Sequence, residues 1–302
     1  MITHENIPIK KFAGLKRYEP VAIDSSAMKE FQRCPRAYFF RTVLGFVAPD
    51  EKIYFAWGKA IHKFYEMAEI HLKQTNNIQL SLALAIQNAV TEWGSTKDAL
   101  PDSKKYKHMT KQNLSTVLLF IAEKWRIEKE SGNLHVTQTE APFVVQLSNG
   151  VWISGRIDQV INWSGRYWIR DFKSTTKKWS YYKYEIAPAD QFARYTAAFR
   201  LLSGLPISGA VVDVICSSPE TKTTLERETV TYTTAELDDW EKSQLHWDAA
   251  LKKCREEDHY PMCERSCNRC DYREICTTRG ESSQLYVLKS KFKLDVWDNA
   301  KG

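Results

Sequence analysis

Apolar positions along this chain follow two different periods, and the switch between them divides it into blocks. Ile61, Phe64, Tyr65, Ala68 and Leu72 recur at helical spacing and predict a helix over 57–73; 80–93 reads the same way. Leu114, Val117, Leu118, Ile121 and Trp125 predict another over 114–129. Upstream, Asp24-Ser25-Ser26 reads as the cap of a short helix running toward Cys34-Pro35, followed by helix over 36–43 anchored on Tyr38 and Phe39. The pattern then becomes strand-like over 135–147, 151–162 and 166–174. Helix returns over 188–202, strand over 207–217 and 224–232. A long helix over 234–255 follows, with Thr234 as cap and Leu237, Trp240, Leu245 and Leu251 facing inward. This order predicts a single α/β domain over 1–302, with a mixed central sheet flanked by helices and a helical insertion near 75–133.

The strands over 151–162 and 166–174 carry the first chemical signal. With Ser164-Gly165 as a two-residue turn, Trp163 pairs with Arg166, and counting outward sets Asp158 opposite Asp171. Lys173, two residues on, emerges on the same face as Asp171. Facing carboxylates repel, and a divalent cation between them removes that penalty. A four-residue loop over 162–165 leaves the two diagonal on one face, whereas a three-residue loop separates them. A solvated surface pair is the bland alternative. Val160, Ile161, Tyr167, Trp168, Ile169 and Phe172 are too apolar for a strand open to water.

Composition narrows the class. Among 302 residues, 43% are hydrophobic and 26% charged, as in an ordinary globular enzyme, and the net charge of +6 favours a polyanionic partner only mildly. Residues 1–16 lack the apolar core of a signal peptide, and no run approaches the roughly 20 apolar residues of a membrane span. The expectation is a cytoplasmic protein with no membrane partner. There, seven cysteines are better read as metal ligands than as disulfides. Cys267, Cys270 and Cys276 form a C-x2-C-x5-C run within a cysteine region near 256–280, and need a fourth ligand for either zinc or an iron–sulfur cluster. Spacing leaves Cys263 and Cys34 both open; Cys216 and Cys254 read as core. After the second strand, Lys177, Lys178, Trp179, Tyr181, Tyr182, Lys183 and Tyr184 interleave charge with rings. That suits single-stranded nucleic acid as well as it suits a loop packing its rings inward. Arg36, Arg41 and Lys59 extend the basic surface.

Taken in order, these motifs resemble the PD-(D/E)XK nuclease superfamily, and within it the RecB-type nucleases that carry an iron–sulfur cluster. That branch includes nuclease domains of helicase–nucleases and CRISPR adaptation nucleases. The resemblance rests on Ser25-Ser26 leading to Cys34-Pro35, on Gly58-Lys59-Ala60-Ile61-His62, and on Glu140. It continues with Gly155-Arg156-Ile157-Asp158, Asp171-Phe172-Lys173, Gln191-Phe192-Ala193-Arg194-Tyr195 and the cysteine triplet. Each motif is weak singly; their shared order and spacing are specific.

The resemblance implies a restriction-endonuclease-like core and a Mg²⁺- or Mn²⁺-dependent deoxyribonuclease, with an exonuclease acting on DNA ends or single strands as the expectation. It implies metal ligation by His62, Asp158, Asp171 and the Phe172 carbonyl, and a Lys173 that orients water or stabilises the transition state. Glu140 would orient a metal-bound water or serve a second ion. Gln191 and Tyr195, one turn apart, would contact phosphate or brace Lys173. Cys34 becomes the fourth ligand of a four-cysteine 4Fe-4S cluster, zinc being the alternative, and Cys263 is the departure from the pattern. Such a cluster would staple the two ends of the chain. Replication or recombination proteins are the expected partners. The rival reading is a non-catalytic nucleic-acid-binding or adaptor protein that keeps the cysteine site as a staple.

Overall fold

A computed structural model describes residues 12, 15–49, 52–94, 106–186, 189–218 and 221–296. In chain order the elements are α1 (Ser25–Arg33), α2 (Pro35–Tyr38), a π-helical turn (Phe39–Val43), β1 (Phe46–Val47), α3 (Ile53–Thr75) and α4 (Ile78–Trp93). They continue with α5 (Lys111–Ser131), β2 (Leu134–Gln146), β3 (Trp152–Trp163), β4 (Arg166–Thr175), α6 (Trp179–Tyr182) and α7 (Asp190–Ser203). Then come β5 (Ile207–Ser218), β6 (Thr221–Thr231), α8 (Thr234–Glu256), α9 (Arg273–Thr277), α10 (Glu281–Lys291) and β7 (Lys293–Leu294). Most of the N-terminal stretch read for a signal peptide, and position 188 of the expected crossover helix, lie outside the described residues.

The chain divides into two compact units. One comprises 51–143 and 156–237 and holds most of a five-stranded sheet of order β2-β3-β4-β5-β6. β3 and β4 pair antiparallel, β4 and β5 parallel, and β5 and β6 antiparallel, so the sheet is mixed, with α7 as the crossover between the parallel strands. The hairpin turn has φ of 51° at Ser164 and 78° at Gly165. Both values are positive, as the I′ turn requires. Its register runs from Trp163↔Arg166 to Gln159↔Arg170, one step short of the Asp158–Asp171 pair counted from the sequence.

Helices α3, α4 and α5 close one core of this unit, burying Trp57, Phe64, Tyr65, Trp93, Leu118 and Trp125 together with Phe172 and Ile215. Asn76 ends α3 in the left-handed region at φ 50°, and Asn77 caps α4 through Oδ1 on the Leu80 N–H at 3.0 Å. Beneath β4 lies a buried charge network. Arg170, 2% exposed, donates to Asp213 Oδ2 at 2.6 and 2.8 Å and to Glu128 at 2.8 and 3.0 Å. Arg227 joins the same two carboxylates. The Arg170 guanidinium also lies 4.9 Å from the Phe172 ring, which stacks on Tyr65 at 3.6 Å.

The other unit comprises 1–50, 144–155 and 238–302. Its core gathers Phe31, Tyr38, Phe39 and Phe40 with Leu251, Tyr260, Tyr272 and Ile275. Asp24 caps α1, accepting from the Ala27 N–H at 2.8 Å, and Arg17 pairs with Asp258. Two details of the α8 expectation are corrected. The cap is Thr233 rather than Thr234: its Oγ1 accepts from the Glu236 N–H while Glu236 accepts from the Thr233 N–H, a reciprocal box. Leu245 is 46% exposed; the buried line runs Leu237, Gln244 and Leu251, spaced by seven, which leaves Leu245 a step of about 100° off it. Among the described residues no helix is long and apolar enough to cross a membrane.

Candidate active site

Strands β2, β3 and β4 and helix α3 deliver the site, and His62, Glu140, Asp158, Asp171 and Lys173 all lie in the sheet-bearing unit. His62 projects from α3, and its Nδ1 donates to Asp158 Oδ2 at 3.2 Å. The same oxygen accepts the Phe172 N–H at 2.9 Å, so the β3 side chain is tied to the β4 backbone. Glu140 reaches the pair from β2, and one donor atom from each of His62, Glu140 and Asp158 lies within 4.8 Å of the others. Among the described residues these three form the single such set. Glu140 has φ +46°, which a side-chain-bearing residue rarely adopts in a strand. A local backbone distortion therefore accompanies its place in this set.

Asp171 is fully buried and turned to different partners. Lys173 Nζ lies 2.7 and 3.0 Å from its two oxygens, and Gln191 Nε2 donates to Oδ1 at 2.8 Å. The Gln191 amide donates also to Tyr195 Oη at 3.0 Å, and the Tyr195 ring meets Phe143 edge-on at 5.7 Å. The helical pair Gln191 and Tyr195 therefore braces Asp171, whereas the sequence suggested Lys173 or phosphate. Phe172 is held by its ring on Tyr65, with the His62 ring edge-on at 6.3 Å.

The electrostatics follow from crowding acids in a partly dry place. Burial pushes Glu140 up to about 7, with the Asp158 charge adding to it. Burial also raises Asp171 to about 6, against the pull of Lys173. Burial opposes the charge on His62, but the neighbouring Asp158 carboxylate outweighs it and lifts the imidazole to about 9. Asp158 is held below the ordinary carboxylate range: His62, Lys173 and the Phe172 N–H together exceed its burial penalty.

An open cleft of about 560 Å³ spans this region, lined by His62, Lys63, Glu66, Glu140, Arg156 and Lys173 among others. Two carboxylates and an imidazole converging on a polar cleft form a donor set suited to a hard divalent ion, with the nitrogen making Mn²⁺ acceptable. Lys63, Glu66 and Arg156 were given no role from sequence. Arg156 lay inside a recognised motif, and its place two residues before Asp158 was the available signal. In the loop beyond β4, Tyr181 and Tyr184 are 69% and 72% exposed, whereas Trp179 and Tyr182 are half-buried. Lys177 pairs with Glu185, and Lys183 lies over the Tyr184 ring at 5.1 Å.

Cys34, Cys263, Cys267, Cys270 and Cys276 lie in the other unit. Burial raises Cys276 to about 11, and the charges of Cys270, Cys34 and Cys267 act on it as well, so these four thiols share a neighbourhood. Cys263 contributes its backbone N–H to Cys34 Sγ at 3.4 Å. No three of these sulfurs lie within 4.8 Å of one another. Arg36 is occupied on the Tyr260 carbonyl at 3.0 Å.

A strand–strand–helix frame thus presents Asp158, the Asp171-x-Lys173 pair and the Gln191-x3-Tyr195 pair. The model of the PD-(D/E)XK nuclease superfamily matches residues 25–277, and the chain belongs to that superfamily. Among solved structures it is similar to an Eubacterium rectale protein described as a "Putative exonuclease". The TM-score is 0.52 and the identity 13%, over 93% of this chain and 95% of that one, a likeness of fold. The crystal structure of SSO0001 matches at TM-score 0.36 and 14% identity, over 86% of this chain and 87% of that one, and carries no argument. No curated protein matches the sequence.

Proposed function

We propose that this nuclease is a Mg²⁺- or Mn²⁺-dependent deoxyribonuclease of the RecB type, acting from DNA ends or on single strands. The observation that carries the reading is the convergence of His62, Glu140 and Asp158 beside the Asp171–Lys173 pair. His62, Glu140 and Asp158 would hold the ion, with Asp171 and the Phe172 carbonyl as further donors. When bound, the ion neutralises charge on the scissile phosphate and acidifies a water. Asp171 fixes the Lys173 ammonium by both carboxylate oxygens, so the cation meets the reacting phosphate already oriented. Gln191, itself steadied on Tyr195, keeps Asp171 from turning. His62 must give up its Nδ1 proton or its bond to Asp158 before the nitrogen can serve as a ligand.

Exposed Tyr181 and Tyr184 beside Lys177, Lys178 and Lys183 favour single-stranded substrate, because flat faces and charge are both offered to solvent. In the other unit, Cys34, Cys267, Cys270 and Cys276 hold a 4Fe-4S cluster that staples distant parts of the chain. The whole of 1–302 then works as one nuclease, with 75–133 as an insertion, in a cytoplasmic replication, recombination or repair process.

The test is digestion of end-labelled single- and double-stranded DNA, with a circular control, in Mg²⁺, Mn²⁺ and EDTA. Loss of ends with the circle intact supports the exonuclease; no cleavage in any metal leaves the non-catalytic binding protein.

A further inference from the structure

Arg156 occupies the cleft without a task in the scheme above. It precedes Asp158 by two residues on β3, so the two side chains leave the strand on the same face. Its side chain is 36% exposed and lines the cleft with Lys59, Lys63 and Lys173. Arg156 Nη1 lies 3.5 Å from Glu140 Oε2, well beyond the roughly 2.7–2.9 Å of a tight charge-assisted bond. Among the described residues the guanidinium makes no other hydrogen bond or ion pair. Most of its five donors are therefore uncommitted, in a cleft that faces solvent.

We propose that Arg156 is a substrate-binding residue that takes a backbone phosphate of the nucleic acid, and that the Glu140 carboxylate holds its place only while the divalent site is empty. The inference rests on the nuclease reading above and adds a residue and a coupling to it. A phosphodiester entering this cleft meets Glu66, Glu92, Glu140 and Asp158, all of which repel it. A divalent ion among His62, Glu140 and Asp158 commits the Glu140 charge, weakens its pull on the guanidinium and repels the guanidinium directly. The planar fork is then free to bind two oxygens of one phosphate. Because binding couplings are reciprocal, ion and nucleic acid each tighten the other through this side chain. The competing role is a permanent counter-ion that merely holds Glu140 in position.

The experiment compares wild type with Arg156→Gln by fluorescence anisotropy of a labelled single-stranded oligonucleotide, in Ca²⁺ and in EDTA. Calorimetric titration of Mn²⁺ without DNA runs alongside. In Ca²⁺ the variant is expected to bind about tenfold more weakly, with the slope of log affinity against log salt shallower by about 0.7. In EDTA the two proteins bind within about twofold of each other, because the carboxylates of Glu140 and Asp158, without an ion between them, then repel phosphate from the cleft of both. Mn²⁺ affinity of the variant is expected to be unchanged or tighter. Arg156→Lys, which keeps the charge and loses the fork, is expected to fall between the two and covers the case of a Gln variant that misfolds. Equal oligonucleotide affinity of wild type and variant in Ca²⁺ overturns the proposal. So does a loss of Mn²⁺ affinity in the variant, which is the signature of the counter-ion role. A wild type that neither binds nor cuts DNA in any divalent ion overturns the nuclease reading itself, a result distinct from either.

Discussion

Gln191 Nε2 donates to Asp171 Oδ1 at 2.8 Å, which ties the crossover helix α7 to the buried carboxylate of β4. Asp171 in turn takes Lys173 on both oxygens, so a neutral amide helps to fix the direction of the Lys173 ammonium. Hydrogen bonds to charged groups contribute about 1.5–3 kcal/mol, equivalent to roughly 10–100-fold in rate if the whole bond serves the transition state. Gln191→Ala is expected to lower kcat within that range while leaving KM for DNA close to wild type. Steady-state kinetics checks this, and a change confined to KM contradicts a bracing role.

The buried network under β4 predicts a particular pH response. Arg170 and Arg227 hold Asp213 and Glu128 below the ordinary carboxylate range despite burial. Carboxylates with depressed folded-state values add stability that is present above their unfolded values and lost as pH falls through the folded ones. Urea unfolding should therefore show stability steady between pH 7 and 5 on account of these groups, and dropping below about pH 4. Asp213→Asn leaves two guanidinium groups short of a partner and should cost about 3–5 kcal/mol at pH 7. An unchanged urea midpoint in that variant excludes the network as a support of β4.

Much of this arrangement was legible from residue order. Ser164-Gly165 fixed the hairpin register as far as Gln159↔Arg170, because a two-residue turn with both φ values positive admits few alternatives. The helical runs were legible because their apolar stripes are long, and the observed ends differ by a few residues. Other features depend on tertiary geometry that no local pattern encodes. The left-handed backbone at Glu140 lies within a strand that reads as ordinary alternation. The direction of the Gln191 amide depends on where α7 crosses β4, and the spacing of four to Tyr195 showed only a shared face. Leu245 was misplaced because a leucine in a long helix suggests burial, whereas the inward line passes through Gln244.

The cysteine neighbourhood gives a visible prediction. Protein purified without oxygen should be brown, with broad thiolate–iron absorption, and Cys34→Ala should lose the colour, the iron and much of the thermal stability. Cys263→Ala should keep all three, since Cys263 meets Cys34 Sγ through its backbone N–H, which the substitution preserves. Metal analysis with absorption spectra decides it. A colourless, zinc-loaded wild type removes the cluster, and iron retained in Cys34→Ala but lost in Cys263→Ala reverses the ligand assignment.

The central claim is that Asp158 holds a divalent ion and that Lys173, steered by Asp171, acts on the phosphate beside it. Its most direct test is Mn²⁺-dependent release of label from end-labelled DNA by wild type, Asp158→Ala and Lys173→Ala, with folding of each checked by circular dichroism. The account requires wild-type cleavage that EDTA stops, and its loss in both folded variants. Wild-type rates in either folded variant would contradict it.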